Sequence, residues 1–447
     1  MPLLVLSAAA GLDAGSVAVL NSALPAMGAE LGATPQDLSW AVTGYALAFA
    51  GLLLCGGAMA DRFPRRRVLT AGLTVLMAGG ALALVAGDFW LVAVGRVVQG
   101  AGAAITMPAA TALLADVYPS GRQHARALGV FASAQAGSYG LGLVLGGVLT
   151  SVAGWRWVFV VQILAAVLTA LAGIRRLPAG SSDRTRRLDL VGSSALVAMM
   201  ALLILSADLA ARPGNGLLAA AVGAGALLAG CVWWLRARGR ADGTALLDPA
   251  LLRFGTVRLA ALAAVAFYFC VSGSLFFLPL YLQGVQGMSA AASGLGVLPV
   301  SLAVAGTALV SGRLLPRFGP RPLLVVGMAA TGGGVLLWCL TGTHTSYWWP
   351  VLAGLIATGI GQGLAFPAIT SSGLGQVTVA AHGTASAVTV TALQIGSGVG
   401  PAVLAGIAAA VGPERVLTGH HLAYAVAAGV VIVFGLLAAQ PWLWHRN

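Results

Sequence analysis

Two ionisable residues lie inside long apolar runs of this chain, Asp13 and Arg96. A carboxyl group in low-dielectric surroundings can bind and release a proton near physiological pH, so Asp13 is a candidate proton carrier. An arginine in such surroundings must contact carbonyl groups, water or an acid, and it could tune a proton site or bind an anionic group. The alternatives are a structural carboxylate that is paired with a helix or a hydroxyl group, and an arginine that only anchors helices.

A charged turn separates the second and third apolar runs: Gly57-Ala58-Met59-Ala60-Asp61-Arg62-Phe63-Pro64-Arg65-Arg66-Arg67. A charge at the centre of a bilayer costs about 2.5 to 3.5 kcal/mol, so the turn must lie at a membrane face. Arginine-rich loops stay cytoplasmic. We predict that Arg65 or Arg66 pairs with Asp116 and latches this side shut, in addition to setting the topology. The predicted cytoplasmic gate motif comprises Gly57, Asp61, Arg62, Arg65, Arg66 and Asp116.

The composition is that of an integral membrane protein. Of the 447 residues 59% are hydrophobic and 8% are charged, and the mean hydropathy is +0.94. A membrane-spanning helix needs roughly 20 apolar residues. Division of the chain at its polar breaks predicts fourteen spans, which are centred near residues 14, 50, 77, 102, 138, 164, 199, 225, 270, 300, 332, 360, 396 and 430.

The basic charge points to membrane topology and not to nucleic acid. All 24 basic residues are arginines, and twenty of them fall on one side of the fourteen-span arrangement. This positive-inside pattern predicts that both termini are cytoplasmic. A chain without lysine cannot form a Walker-type phosphate loop or a Schiff base with retinal or pyridoxal phosphate. The cysteines and histidines lack metal-ligand spacing, so we predict no cofactor and no metal.

Short sequence patterns recur in the two halves of the chain. Gly-x5-Pro-Ala begins at Gly102 and at Gly361, and Gln-x-Gly-Ser begins at Gln135 and at Gln394; both pairs are 259 residues apart. A weaker copy of the charged turn begins at Gly312, at an offset of 255. Parallel repeats with substrate bound between them are typical of transporters. We therefore predict six-helix bundles over residues 1–175 and 255–447, joined by a linker pair of transmembrane helices over residues 186–240.

Further motifs occur in a consistent order along nearly the whole chain. They are Leu20-Asn21-Ser22-Ala23-Leu24-Pro25, Arg96-x2-Gln99-Gly100, Gly142-x3-Gly146-Gly147, Gly154-Trp155-Arg156-Trp157-x-Phe159 and Tyr281-Leu282-Gln283 with Gly287-Met288-Ser289-Ala290. Together with the charged turn they resemble the major facilitator superfamily, and within it the fourteen-span drug:proton antiporters. The sequence departs from that pattern at Pro64, where glycine is usual, at Leu143, where proline is usual, and at Ser16, where the family has aspartate.

The resemblance implies an all-α polytopic membrane protein with the major facilitator fold, namely 14 transmembrane helices in two six-helix bundles plus two linker helices. It implies a coupling role for Arg96 and leaves open whether Asp13 replaces the carboxylate that is missing at position 16. The glycines of span five are spaced for close helix contact, which would suit either tight packing alone or two alternative arrangements of the bundle. The predicted helix-packing motif consists of Gly137, Gly142, Gly146 and Gly147.

The residues predicted to face a substrate cavity are uncharged. A mostly apolar cavity with scattered amides suits amphiphilic organic molecules, although some of these side chains could simply bridge helices. The candidates are Asn21, Gln99, Gln135, Tyr139, Tyr268, Phe276, Gln362 and Gln394.

We therefore predict a proton-coupled exporter of hydrophobic or cationic drugs, antibiotics or natural products in the cytoplasmic membrane, rather than an enzyme. Its partners would be a small-molecule substrate, protons and the lipid bilayer, without nucleic acid, and we expect it to act as a monomer. An exporter of one small metabolite or siderophore is the first alternative. A membrane enzyme or sensor without transport is the second.

Overall fold

The computed structural model describes residues 1–119, 121–180, 190–210, 215–238, 254–373, 377 and 382–440. Within these residues the chain forms fourteen α-helices and no strand. The first eight are α1 (Pro2–Leu31), α2 (Pro35–Arg62), α3 (Arg65–Leu84), α4 (Phe89–Val117), α5 (Gly121–Ala153), α6 (Arg156–Arg176), α7 (Leu190–Ala210) and α8 (Gly216–Arg238). The others are α9 (Gly255–Gly284), α10 (Ala290–Phe318), α11 (Pro320–Leu337), α12 (Ala353–Ser372), α13 (His382–Ala410) and α14 (Val416–Ala438).

The helix positions agree with those expected from the apolar runs, since each predicted centre falls inside a separate helix. The criteria of length and hydropathy give a smaller number of membrane spans. In the described part of the chain, twelve helices are long and apolar enough to cross a membrane, or thirteen if the bent pair Pro35–Leu53 and Cys55–Arg62 counts as one span. The all-α, multi-span prediction is therefore confirmed, whereas the count of fourteen spans stays a prediction.

Local sequence explains where several helices begin and end. Thr34 and Asp37 form a reciprocal capping box at the start of α2, and the Asp88 side chain accepts a hydrogen bond of 3.0 Å from Leu91 N at the start of α4. Such caps satisfy backbone N–H groups that have no partner inside the helix. Gly32 ends α1 in the left-handed conformation at φ 65°, which glycine adopts at little cost.

The chain divides into two compact units. Unit 1 comprises Met1–Val197 with Met288–Leu295, and unit 2 comprises Ala198–Gly287 with Gly296–Asn447. The predicted boundaries at 186 and 240 lie outside the described residues, so the division into two bundles and a linker pair stays a prediction.

Each unit contains the same glycine-lined helix contact. A Cβ atom added to Gly79 in α3 would lie 2.5 Å from the Gly95 carbonyl oxygen of α4, and one added to Gly334 in α11 would lie 2.7 Å from that of Gly354 in α12. At these distances only glycine lets the two backbones meet. The complete sets are Gly72, Gly79, Gly95 and Gly102 in unit 1, and Gly327, Gly334, Gly354 and Gly361 in unit 2. Their offsets of 255 and 259 residues are those of the sequence repeat, so the repeat extends to the packing of helix pairs.

Candidate functional site

Arg96 lies in the interior of unit 1, where its side chain is 1% exposed. Its Nε donates to the Ala41 carbonyl oxygen at 3.1 Å, and its Nη1 donates to Ser16 Oγ at 2.9 Å and to Gln99 Oε1 at 2.7 Å. The guanidinium therefore contacts carbonyl and hydroxyl acceptors, as expected from its depth. Ser16, which stands where the resembled family has aspartate, is one of these acceptors.

Asp13 in α1 is half-buried, and its carboxylate accepts a hydrogen bond from the Tyr45 hydroxyl of α2. The ring of Tyr45 also faces Arg96, whose Cζ lies 4.2 Å from the ring centroid. Asp13 and Arg96 do not form a direct ion pair within 4.0 Å; the ion pairs among the described residues join other side chains. Tyr45 is thus inserted between the acid and the arginine, although no sequence motif marked it.

The polar cluster continues from Arg96 towards α6. Gln99 Nε2 donates to Gln162 Oε1 at 2.9 Å, and both side chains are buried. The Nε2 atom of Gln162 finds no hydrogen-bond partner among the described residues. Gln99, a predicted cavity residue, therefore bridges α4 and α6 within this network. We call Asp13, Ser16, Tyr45, Arg96, Gln99 and Gln162 the interior polar cluster.

The charged turn places Arg65 against the end of α4. Arg65 Nη1 forms an ion pair with Asp116 and also donates to the Ala112 carbonyl oxygen at 3.2 Å. Its Nη2 lies 3.9 Å from Asp61 Oδ1, a longer and weaker contact. Of the two arginines that the sequence offered as partners of Asp116, the structure pairs Arg65. The role of this pair as a latch stays a prediction.

The neighbouring residues of the gate motif have other contacts. Arg66 Nη1 donates to the Leu177 carbonyl oxygen at the end of α6, at 2.9 Å. The Arg62 guanidinium lies 5.7 Å from the centroid of the Phe63 ring. A Cβ atom added to Gly57 would meet no other described atom within 4 Å, so close packing does not explain that glycine.

The opposite end of unit 1 carries a second charged cluster, which the sequence analysis did not predict. Glu30 near the end of α1 pairs with Arg156 and accepts a hydrogen bond of 2.8 Å from Trp155 Nε1. Arg156 Nη2 also donates to the Ala86 carbonyl oxygen at 2.9 Å. These residues are far apart in sequence. The motif Gly154-Trp155-Arg156 was the one signal that could have indicated the cluster.

Three of the four predicted packing glycines of α5 lie in close contacts. Cβ atoms added to Gly142 and Gly146 would lie 2.8 Å and 2.3 Å from backbone carbonyl oxygens of α1. A Cβ atom added to Gly147 would lie 2.3 Å from the carbonyl oxygen of Ala290, which belongs to the same unit. Gly137 has no such neighbour within 4 Å among the described residues. The α1–α5 contact therefore requires small residues at its centre.

The substrate candidates of unit 1 differ in burial. Asn21 in α1 is 7% exposed, and its Oδ1 has no hydrogen-bond partner among the described residues. Gln135 and Tyr139 in α5 are half-buried, and Gln135 Nε2 lies 3.4 Å from the sulfur of Met107. These side chains are uncharged, and their place in a substrate cavity stays a prediction.

In unit 2 the candidates also separate into two groups. Tyr268, Gln362 and Gln394 are half-buried, on α9, α12 and α13, and the Nε2 atom of Gln362 has no hydrogen-bond partner among the described residues. Phe276 is 1% exposed, and its ring centroid lies 5.2 Å from that of Phe277 in an edge-to-face contact. Phe276 is therefore a core residue in this conformation.

Long apolar helices that recur in glycine-packed pairs, with a buried arginine in the first half, are typical of a polytopic transporter. In agreement, the sequence model of the Major Facilitator Superfamily matches residues 6–401, with a further match over 261–445. The chain belongs to this superfamily, so it is a multi-pass membrane transporter and not an enzyme.

Similar proteins include the puromycin resistance protein of Streptomyces alboniger, which is 30% identical over 443 residues, 94% of this chain and 86% of that protein. The methylenomycin A resistance protein of Bacillus subtilis is 32% identical over 363 residues, covering 79% of this chain and 76% of that protein. A crystal structure of the peptide transporter POT in complex with sulfate matches with a TM-score of 0.71, covering 98% of this chain and 93% of that chain. At 15% identity this last similarity concerns the fold alone.

Proposed function

We propose that the chain exports hydrophobic or cationic drugs or natural products across the cytoplasmic membrane, driven by inward proton flow. The interior polar cluster carries this proposal, because it places the Asp13 carboxylate beside Tyr45 and close to Arg96. Resistance proteins for puromycin and methylenomycin A among the similar proteins support a drug-like substrate.

Asp13 is the acid best placed to carry the proton. Among the described helices it is the one acidic residue near a helix centre, since Asp61 and Asp116 lie at the ends of α2 and α4 and Asp208 lies near the end of α7. A charge that crosses the membrane field gains about 2.3 kcal/mol per 100 mV. Protonation of Asp13 from one side and release on the other would couple that energy to substrate export.

The Arg65–Asp116 pair supports a latch on the predicted cytoplasmic side. It joins the start of α3 to the end of α4 through a half-buried ion pair, and the carbonyl oxygen of Ala112 adds a further acceptor. We infer that the pair stabilises one state of an alternating-access cycle. Both chain termini would lie on the same cytoplasmic side, as the arginine distribution predicts.

A narrower function is the second candidate, in which the chain exports one compound. The observation that favours it is that the puromycin and methylenomycin A resistance proteins are each named for a single antibiotic. Gradient-dependent efflux of several unrelated dyes from vesicles would support the broad proposal. Efflux confined to one compound across a chemically diverse panel would support the narrow one.

The coupling proposal is tested by Asp13→Asn in vesicles with an imposed proton gradient. We expect gradient-driven efflux to be abolished while the protein inserts and folds normally, because the amide cannot cycle a proton. The matched control is Asp88→Asn, which neutralises an exposed acid at the start of α4 where asparagine caps equally well. Undiminished gradient-driven pumping by Asp13→Asn would refute the assignment.

A further inference from the structure

Tyr45 contacts both ionisable residues of the interior polar cluster through different parts of its side chain. Its hydroxyl donates to the Asp13 carboxylate, and its ring face lies 4.2 Å from Arg96 Cζ. The side chain is 3% exposed, and its ring also stacks on Phe49 with centroids 6.3 Å apart. Burial and stacking restrict the ring, so its two polar contacts are held together in one geometry.

The other described groups around the cluster are neutral. Four helices pack against α1, namely α2, α4, α5 and α6. Of these, α2 presents Tyr45 to Asp13 and α4 presents Arg96, whereas α5 places Ser138 against α1 at Gly11 and Gly15, and α6 contributes Gln162. The hydrogen-bond acceptors of Arg96 are likewise uncharged, so Tyr45 is the side chain that joins the acid to the arginine in this network.

The two contacts of Tyr45 respond to the charge on Asp13. A tyrosine hydroxyl that donates to a carboxylate forms a charge-assisted bond, which is stronger than a bond between neutral groups. A protonated carboxyl group is neutral and is itself a donor, so the hydrogen bond from the tyrosine hydroxyl loses its charge assistance. When that bond weakens, the ring is held less firmly beneath the guanidinium, whose attraction to an aromatic face depends on close approach.

We propose that Tyr45 is a positioning residue that transmits the protonation state of Asp13 in α1 to Arg96 in α4. The inference rests on the proposed function, in which Asp13 carries the coupling proton. Proton binding to Asp13 in α1 would thus weaken the contact between the Tyr45 ring and the Arg96 guanidinium. The hydrogen bonds of Arg96 with α1 and α2 would change as a result. Arg96 would sense the proton without ever pairing directly with Asp13.

The test is the pH profile of gradient-driven efflux for Tyr45→Phe, which keeps the ring and removes the hydroxyl. We expect the pH of half-maximal efflux to rise by about one unit, because the ionised carboxylate loses a charge-assisted hydrogen bond. Replacement of Tyr45 by 3,5-difluorotyrosine retains the shape and strengthens the donor, so the midpoint should fall. Tyr45→Leu removes both contacts and should abolish coupled efflux.

The matched control is Tyr424→Phe in unit 2. Tyr424 is 1% exposed, and its hydroxyl has no hydrogen-bond partner among the described residues, so its loss should leave the midpoint unchanged. A wild-type midpoint for both Tyr45→Phe and the difluorotyrosine protein, with Asp13→Asn inactive, would overturn the role of Tyr45 and leave the proposed function standing. An equal shift in Tyr424→Phe would also overturn it. Undiminished gradient-driven pumping by Asp13→Asn would instead refute the proposed coupling function itself.

Discussion

The turn between α2 and α3 and the turn between α10 and α11 occupy equivalent places in the repeat, but they differ in charge. In the first turn Arg65 is paired with Asp116 and lies near Asp61. The sequence positions that correspond to Asp61, Arg65 and Asp116 in the second half, at offsets of 255, 255 and 259 residues, are Pro316, Pro320 and Gly375. Gly375 lies outside the described residues, but its identity alone excludes an acid. An ion-pair latch of this kind can therefore operate only in the first half.

Both turns nevertheless keep one arginine contact. Arg66 donates to the Leu177 carbonyl oxygen at the end of α6, and Arg321, which is 255 residues later, donates to the Ala439 carbonyl oxygen at the end of α14. Each arginine thus caps the last helix of its half, where a cation is favourable. This shared contact therefore serves the architecture of the repeat, whereas the acidic contacts with the turn occur, among the described residues, in unit 1.

The interiors of the two units differ in the same direction. Arg96 is 1% exposed, and its counterpart in α12, Leu355, is 0% exposed. Both positions are fully buried, but only unit 1 places a charge there. The residues of the proposed proton coupling and of the proposed latch therefore both lie in unit 1, while unit 2 retains the helix-packing features of the repeat.

Of the variants that test this comparison, replacement of the buried arginine should give the largest effect. Arg96→Leu introduces the residue type that Leu355 has at the equivalent position of the second half. It leaves Ser16, Gln99 and the Tyr45 ring without their cation. We expect gradient-driven efflux to fall by at least about 100-fold, which corresponds to about 2.7 kcal/mol, measured in vesicles at matched protein levels. Leu355→Met is the control, since a swap that conserves volume should cost less than about 1.5 kcal/mol. Comparable losses in both variants would contradict the asymmetry between the units.

Neutralisation of the latch should give an intermediate effect. Asp116→Asn removes one partner of the Arg65 ion pair, and we expect efflux to fall about 5- to 10-fold, in line with a loss of about 1 to 1.5 kcal/mol. Asp61→Asn should change efflux less than about twofold, because its contact with Arg65 at 3.9 Å is long and partly exposed. Initial efflux rates measure both. A larger loss in Asp61→Asn would show that the Asp116 pair is not the main latch.

Substitutions that alter the backbone of the two turns should have the smallest effect on transport and a measurable effect on stability. Gly319 has φ 75° and ψ 174°, a region open almost only to glycine, whereas Pro64 at the equivalent position has φ −53° and ψ 116°. Gly319→Ala should therefore cost about 1 to 3 kcal/mol, seen as a lower thermal midpoint. Pro64→Ala should cost well under half as much. Equal midpoints for the two variants would show that the turns share one conformation.

Sequence reasoning predicted the helices well because apolar length and arginine placement are strong signals in a membrane protein. Each predicted centre lies in its own helix, and the pairing of Asp116 with one of two arginines was anticipated. The repeat was also visible, since glycines and prolines that fix backbone contacts recur at constant offsets. The family assignment followed from the order of these motifs, and the family match confirmed it.

The contacts within the bundle could not be predicted in the same way. Tyr45 stands in an apolar run with no charged neighbour in sequence, and its proximity to Asp13 and Arg96 depends on how three helices are rotated against one another. Glu30 and Arg156 are separated by 126 residues and meet only through packing. Hydropathy records depth in the membrane but not the direction in which a side chain points.

The glycine contacts of α3 with α4 and of α11 with α12 also bear on how the protein can move. In this seam the two backbones approach closely, and side chains such as Thr106 and Thr358 pack directly against the glycines. Such close packing leaves little room for rearrangement, so each helix pair should move as one stiff unit. Bending is favoured beyond the seam, where Pro108 in α4 and Pro367 in α12 interrupt the helical hydrogen bonds at equivalent positions. The repeat thus gives each half a rigid helix pair and, next to it, a proline at which the helix can bend.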